Sequence, residues 1–447
     1  MSSHQKKIFV QIRSLNAEGE GVGQGPDGLT LFVNGALPGE TVEVEIFEQH
    51  KRFGRARLLH IQARSTERVQ PPCPWFGECG GCQVMHASSS LQLRYKRQKV
   101  VDALSRIGHL KDADQLVADC LPSPLVFGYR NKIQLPVRGK AGALQIGLFA
   151  AGSHRLVEIE RCLIHDKMGQ EILDKIQPLL QASGLSGYDP EQRRGDLRHI
   201  LLKTGFRTEE ALVVLVSRIP KNPLWEQLGK EILSIDPRLR GVVLNYHPAV
   251  SNTILGNEYT VLAGSSFFEE RLGSLRFRIS SASFFQVNPL QAEKLFTYAL
   301  QWAKMVSSHL LIDAYCGVGT LALFLAEAAE QVLGLEPVED AICNARENAA
   351  LNDIHNAVFL NSRAEERVDL LKTADLLLLN PPRRGCAPVV LEAALAGQPK
   401  SILYISCNPA TLARDLSLLQ NYRVVEVQPF DLFPQTAHVE TACLLMR

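Results

Sequence analysis

The sequence predicts an α/β protein of three parts, dominated by a doubly wound, largely parallel sheet in its C-terminal region. Three observations carry that prediction. From about residue 284 continuous apolar strands alternate with amphipathic helices, the pattern of a sheet covered on both faces. A glycine-bearing turn, "DAYCGVGT" (313–320), joins the first of these strands to a helix. Residues 8–63 have a different texture, short β-type runs separated by glycine turns, which suggests a small antiparallel barrel of about five strands. With 447 residues the chain exceeds what one core supports, and divisions at 1–65, 66–280 and 281–447 follow the changes in pattern.

Composition narrows the class. The chain is 46% hydrophobic and 21% charged, ordinary for a globular protein. Its 48 Lys and Arg nearly cancel 47 Asp and Glu, so a polyanionic partner must be met by local basic patches. The first residues lack the apolar run of a signal peptide, and no apolar stretch is long enough to cross a bilayer. A cytoplasmic protein, monomeric and without membrane contact, is therefore the expectation. In that reducing compartment ten cysteines predict metal ligands or catalytic groups rather than disulfides.

The barrel runs are "IFVQIRSL", "LTLFVNGALPGE" and "TVEVEIFEQHKRFGRARLLHI", with "EGEGVGQGPDG" between the first two. The turn between strands three and four carries Lys51, Arg52, Arg55 and Arg57 around Phe53. Cations that hold phosphate beside a ring that stacks on a base suit a nucleic-acid surface, and a solvated hairpin is the alternative. A Pro/Gly/Cys-rich break at 66–85 is followed by a helix near 91–108 that is placed to pack on the C-terminal domain. Its segment "LRYKRQKVV" reads either as a phosphate-following surface or as the wet face of that helix. A mixed β and α region extends to about 280. Strands then fall at 310–315, 332–337, 357–361, 375–380 and 401–406, and "RVVEVQPF" and "TACLLMR" complete seven.

Ligands bind such sheets beyond the carboxyl ends of the strands. Gly317 and Gly319 permit a sharp turn there, and Glu336 ends the next strand, where it can take both hydroxyls of a ribose. A dinucleotide fingerprint needs a third glycine where this chain has Ala322, which favours S-adenosylmethionine over NAD. Asn380, before two prolines, aims an amide at the same edge. Cys407 ends the fifth strand beside it, either as small apolar filler or as a nucleophile. A thiolate and a methyl donor together suit methylation at C5 of uracil, since addition to C6 makes C5 carbanionic. A base must then take the C5 proton, and Glu440, before the last strand, is placed for it.

Cys73, Cys79 and Cys82 share one irregular loop, with Cys162 as a fourth candidate. Three thiolates from one loop and one from afar suit a [4Fe-4S] cluster. Zinc is the runner-up, with His86 or His165 as substitute ligands.

Together these motifs resemble the bacterial RNA uracil-5-methyltransferase family, in the branch that methylates 23S ribosomal RNA. The resemblance spans nearly the whole chain. It implies an N-terminal OB-like TRAM barrel that binds RNA, a central α+β domain with a [4Fe-4S] cluster on Cys73, Cys79, Cys82 and Cys162, and a class I (Rossmann-like) methyltransferase domain. "FFQVNPLQAEKL" resembles the motif whose glutamine, here Gln286, contacts S-adenosylmethionine, and "DAYCGVGT" places Tyr315, Gly317 and Thr320 at cofactor positions with Glu336 on the ribose. The nucleophile falls on Cys407 and the base on Glu440. Two positions depart from the family pattern: Asn380 stands where Asp is usual, and Arg363 where Asp or Asn is usual, which leaves the adenine edge to backbone groups. "NPPR" is also similar to a motif of N-methyltransferases, although Arg383 replaces their aromatic residue. A non-catalytic RNA-binding or ribosome-assembly factor is a further alternative. The target uridine is expected to lie in a loop and to be flipped into the pocket, with Phe284 and Phe285 as stacking partners or as one rim and one core residue. Barrel and cluster together point to ribosomal RNA, since transfer-RNA members of the family are expected to lack both.

Overall fold

A computed structural model describes residues 7–251 and 253–447. Strands Lys7–Leu15, Gly21–Gln24, Thr30–Val33, Thr41–Gln49 and Phe53–Ala63 close into a barrel in which the fifth strand lies between the third and the fourth. Alternation turns Val10, Ile12, Leu31, Val33, Val42 and Val44 inward to form its core. The pairing of Thr30–Val33 with Phe53–Ala63 is parallel, so the barrel is not wholly antiparallel. The basic turn also joins the fourth and fifth strands, not the third and fourth. Glycine hides the extra strand in the sequence: a Cβ at Gly23 would fall 2.2 Å from Val10 Cγ1, so the second strand needs its glycine to approach the first.

The central region forms a seven-stranded sheet that includes Lys132–Lys140, Leu197–Thr204 and Ala211–Ser217. Helices Lys167–Ala182 and Pro223–Ser234 cover it, and Ile172, Ile176, Trp225 and Leu228 pack on Leu202, Val213 and Leu244.

The C-terminal sheet has strands β1 (Ser308–Asp313), β2 (Ala329–Glu336), β3 (Ala357–Asn361), β4 (Leu376–Leu379), β5 (Ser401–Ser406), β6 (Arg423–Phe430) and β7 (Glu440–Met446). Their spatial order is β3-β2-β1-β4-β5-β7-β6; β1 to β5 are parallel, and β7 runs antiparallel to both neighbours. β4 is buried throughout, as the unbroken apolar run "LLLL" requires.

Two elements from outside residues 281–447 join this core. The hairpin Phe267–Leu272 and Leu275–Ser280 contributes Phe268, Phe277 and Ile279 to one face. Helix Ser89–Arg106 lies against helix Pro409–Leu418 on the other, where Val100, Val101 and Leu104 meet Leu412 and Ala413. The "LRYKRQKVV" segment is therefore divided: Arg94 and Gln98 lie on a wet face, while other residues turn inward. Tyr95 and Lys96 are buried in it, and the Lys96 ammonium is paired with Asp431 at 2.5 Å. Among the described residues no helix is long and apolar enough to cross a membrane.

Candidate active site

β7 runs against the parallel strands, so its first residue arrives at the edge where β4 and β5 end. Ser406 pairs with Thr441 across β5 and β7, which sets Cys407 and Glu440, the next residue on each strand, beside one another. Asn380 follows β4 at the same edge. Gln286, Asn380, Arg383, Cys407 and Glu440 line one cavity of about 740 Å³, with Phe284 at its rim. Phe284 is 69% exposed and Phe285 only 8%, so one ring is free to stack and the other belongs to the core.

Charge in this cavity is finely balanced. Burial raises the Cys407 thiol, and the Glu440 carboxyl raises it further, while the Arg383 guanidinium lowers it by charge and hydrogen bonding. Burial likewise pushes Glu440 up to about 8, against the pull of Arg383. His438 is held down to about 4 by burial and by the cations Arg383, Lys99, Lys96 and Arg130, so it faces the cavity as a neutral imidazole. Arg383 is thus a cation shared by Cys407 and Glu440. Sequence reasoning passed over it as a substitute for an aromatic; the signal was a basic residue three positions after Asn380 on the same loop.

That loop is bolted to the one carrying Cys407. Asn408 Nδ2 donates to the Arg383 carbonyl at 3.1 Å, and Asn408 also caps helix Pro409–Leu418 through the Ala410 amide. Asp415, fully buried on that helix, accepts from the Cys386 amide at 2.8 Å and the Tyr404 hydroxyl at 2.5 Å. The loop bearing Phe284 and Gln286 is fixed differently. Buried Lys203, from the central sheet, donates to the carbonyls of Ser280, Ser281 and Ser283 at 3.0, 2.7 and 2.8 Å.

The glycine turn lies on the neighbouring part of the sheet edge. Gly317 and Gly319 both have positive φ, at 54° and 78°; a Cβ on Gly319 would press Phe359 and Ala345, whereas the space over Gly317 is open. Glu336 ends β2 half-buried, accepts from the Val338 amide at 3.0 Å and also meets the Gly317 amide; burial raises its carboxyl. This open backbone beside a carboxylate fits a nucleoside with a free ribose. Thr320 opens the short helix after the turn. Tyr315 packs its ring against the core, with its hydroxyl against Cys386. Arg363 follows β3 with an exposed side chain that turns to Glu366.

Cys73, Cys79, Cys82 and Cys162 line one small, almost wholly apolar cavity with Trp75, Met85 and Ile159. No histidine lines it: His165 lies in the catalytic cavity instead, and His86 packs on Phe76 with a ring separation of 5.2 Å. Among the described residues no three ligand-type side chains close on a single ion. Burial and mutual repulsion raise the thiols of Cys79 and Cys82. A set of four thiols fits either a [4Fe-4S] cluster or a structural zinc ion. Gly81, Leu148 and Ile164 line this cavity and the catalytic one, so the two share a wall.

A 3-2-1-4-5-7-6 sheet with a glycine turn after its first strand and an acid after its second defines the class I methyltransferase fold. Residues 267–447 match the tRNA (uracil-5-)-methyltransferase family model, and residues 4–59 match the TRAM domain. RNA methyltransferases of Halalkalibacterium halodurans and Caldanaerobacter subterraneus, both described as uncharacterized, are 38% and 39% identical over 98% and 99% of this chain and 96% and 98% of their own. The crystal structure of the Pyrococcus abyssi tRNA (uracil-54, C5)-methyltransferase with S-adenosyl-L-homocysteine matches at 28% identity and a TM-score of 0.79, covering 98% of this chain and all of that one. The chain belongs to the RNA uracil-5-methyltransferase family. One expectation needs correcting. A transfer-RNA enzyme aligns across the barrel as well as the catalytic domain, so this architecture does not by itself separate ribosomal from transfer RNA.

Proposed function

We propose that this protein methylates C5 of a uridine in a loop of 23S ribosomal RNA, using S-adenosylmethionine and a transient bond between Cys407 and C6 of the base. The observation that carries the chemistry is the convergence of Cys407, Arg383 and Glu440 in one cavity. Arg383 favours the thiolate by charge and hydrogen bonding. The sulfur then adds to C6, and the ring electrons pass to C5 and the O4 carbonyl. When bound against Gly317 and Glu336, S-adenosylmethionine supplies the methyl group that C5 takes, leaving S-adenosylhomocysteine. Glu440 removes the C5 proton, the C5–C6 double bond re-forms, and the thiolate leaves. The net products are 5-methyluridine, S-adenosylhomocysteine and one proton.

Asn380 and the exposed ring of Phe284 would hold the flipped base, which cannot be reached while stacked in a duplex, and Gln286 would contact S-adenosylmethionine; all three line the cavity of Cys407 and Glu440. A [4Fe-4S] cluster on Cys73, Cys79, Cys82 and Cys162 would tie the 73–82 loop to the central domain and stiffen the shared wall. An N-methyltransferase needs no thiol, and a non-catalytic assembly factor needs neither Cys407 nor Glu440. Transfer RNA is the second reading of the substrate, favoured by the Pyrococcus match. Incubation with 23S ribosomal RNA and with transfer RNA, followed by mapping of 5-methyluridine, tests the assignment. Product only in transfer RNA would overturn the ribosomal choice, and methyl groups on nitrogen would overturn the chemistry.

A further inference from the structure

Helix Ser89–Arg106 places four side chains on one face at spacings of three and four residues: Gln92, Tyr95, Lys96 and Lys99. Three of them hold the segment that leads into β7. Gln92 bonds the side chain and amide of Gln435, Lys96 bonds Asp431 and the Phe433 carbonyl, and Lys99 Nζ donates to the Ala437 carbonyl at 2.8 Å. This segment ends in His438 and Glu440, both in the catalytic cavity.

The same face also grips the barrel. Tyr95 Oη donates to the carbonyls of Asn16 and Ala17 at 2.9 and 3.2 Å, and Lys99 Nζ donates to the Ala17 carbonyl at 2.7 Å. One ammonium therefore bridges the barrel turn and the catalytic segment. Leu15, Val84, Tyr95 and Ala437 pack together at the same junction. The bonded chain continues outward from there: Asn16 Nδ2 donates to Glu20 at 2.8 Å, and Glu20 accepts from Arg55 of the basic hairpin at 2.7 Å.

We propose that Lys99 is a positioning residue that locks the barrel to the segment delivering His438 and Glu440, so that RNA held on the barrel and the base held in the cavity share one fixed frame. The proposal rests on RNA being the substrate but not on which RNA. Lys99 does not line the cavity of Cys407 and Glu440; it acts through Ala437 and Ala17.

The test is single-turnover methyl transfer by the full-length protein at saturating RNA, with RNA affinity measured separately. Lys99→Met should lower the maximal rate about ten-fold or more, as small misplacements of reacting groups do, while RNA affinity stays within about two-fold. Lys99→Arg keeps a donor and should restore most of the rate. Tyr95→Phe should cost less alone and add less than its single effect on top of Lys99→Met, because both grip the same turn. A loss that appears only as weaker RNA binding, with the maximal rate intact, would make Lys99 a phosphate-binding group and overturn the proposal. An unchanged rate in Lys99→Met would overturn it as well. Each reading is a ratio to wild type on one RNA, so a wrong choice of natural substrate leaves the outcome interpretable.

Discussion

Cys407 and the four thiols at 73, 79, 82 and 162 show two ways of placing sulfur in one chain. Cys407 is set by regular structure: β5 fixes its height, β7 brings Glu440 to it, and Arg383 supplies a cation. The other four sit on irregular backbone in an apolar cavity, where burial and repulsion from neighbouring thiols raise Cys79, Cys82 and Cys162. Burial raises Cys407 too, but it has a cation beside it to offset that rise, as the proposed addition to uracil needs. Thiols gathered by loops among apolar neighbours, with no cation among the described residues lining their cavity, suit the proposed role of holding a cluster.

The largest test of that contrast is Cys407→Ala. Methyl transfer should vanish, and RNA containing 5-fluorouracil, which traps wild type because no C5 proton can leave, should form no covalent adduct. Thermal stability should be nearly unchanged. Glu440→Gln comes next, with the rate falling about a hundred- to ten-thousand-fold, the range for loss of a general base. It should accumulate the methylated adduct instead of resolving it.

The same carboxyl makes a pH prediction. Folding raises Glu440 from 4.5 to about 8, so the folded state keeps a proton that the unfolded chain gives up. Stability is therefore lost as pH rises between those values. Melting scans should show Glu440→Gln gaining on wild type across that window and no further above it. The wild-type rate should climb through the same range, because the base works only when ionised.

The thiol cluster predicts a different phenotype. Cys82→Ser should lower the melting temperature and raise the RNA KM several-fold, with a smaller effect on the rate at saturation. An effect on rate as complete as that of Cys407→Ala would erase the distinction between the two sites. The smallest effect belongs to the basic turn. Lys51→Ala with Arg52→Ala should weaken RNA binding modestly and flatten its salt dependence by about 0.7 for each single-strand phosphate that is no longer neutralised.

Much of this was legible because periodic patterns and strand ends carry their own signals. The seven strands, the glycine turn, Glu336, Cys407 and Glu440 all follow from where an apolar run stops. What escaped depends on long-range packing. Gly21–Gln24 is a strand whose glycines read as a turn, because only packing against Val10 explains them. Lys96 looked like a solvated cation because its counter-ion, Asp431, lies far along the chain. Lys203 gave no sign in sequence of the three carbonyls it holds. Arg383 was visible as a charge, but its direction was not.

The wall formed by Gly81, Leu148 and Ile164 faces thiols on one side and the nucleotide chamber on the other. Oxidative damage to the cysteine side would first be felt as a poorer fit of RNA, before the sheet that carries the reacting groups gave way. If the four thiols hold the proposed iron–sulfur cluster, cells short of iron would carry under-methylated RNA while the protein itself stayed folded.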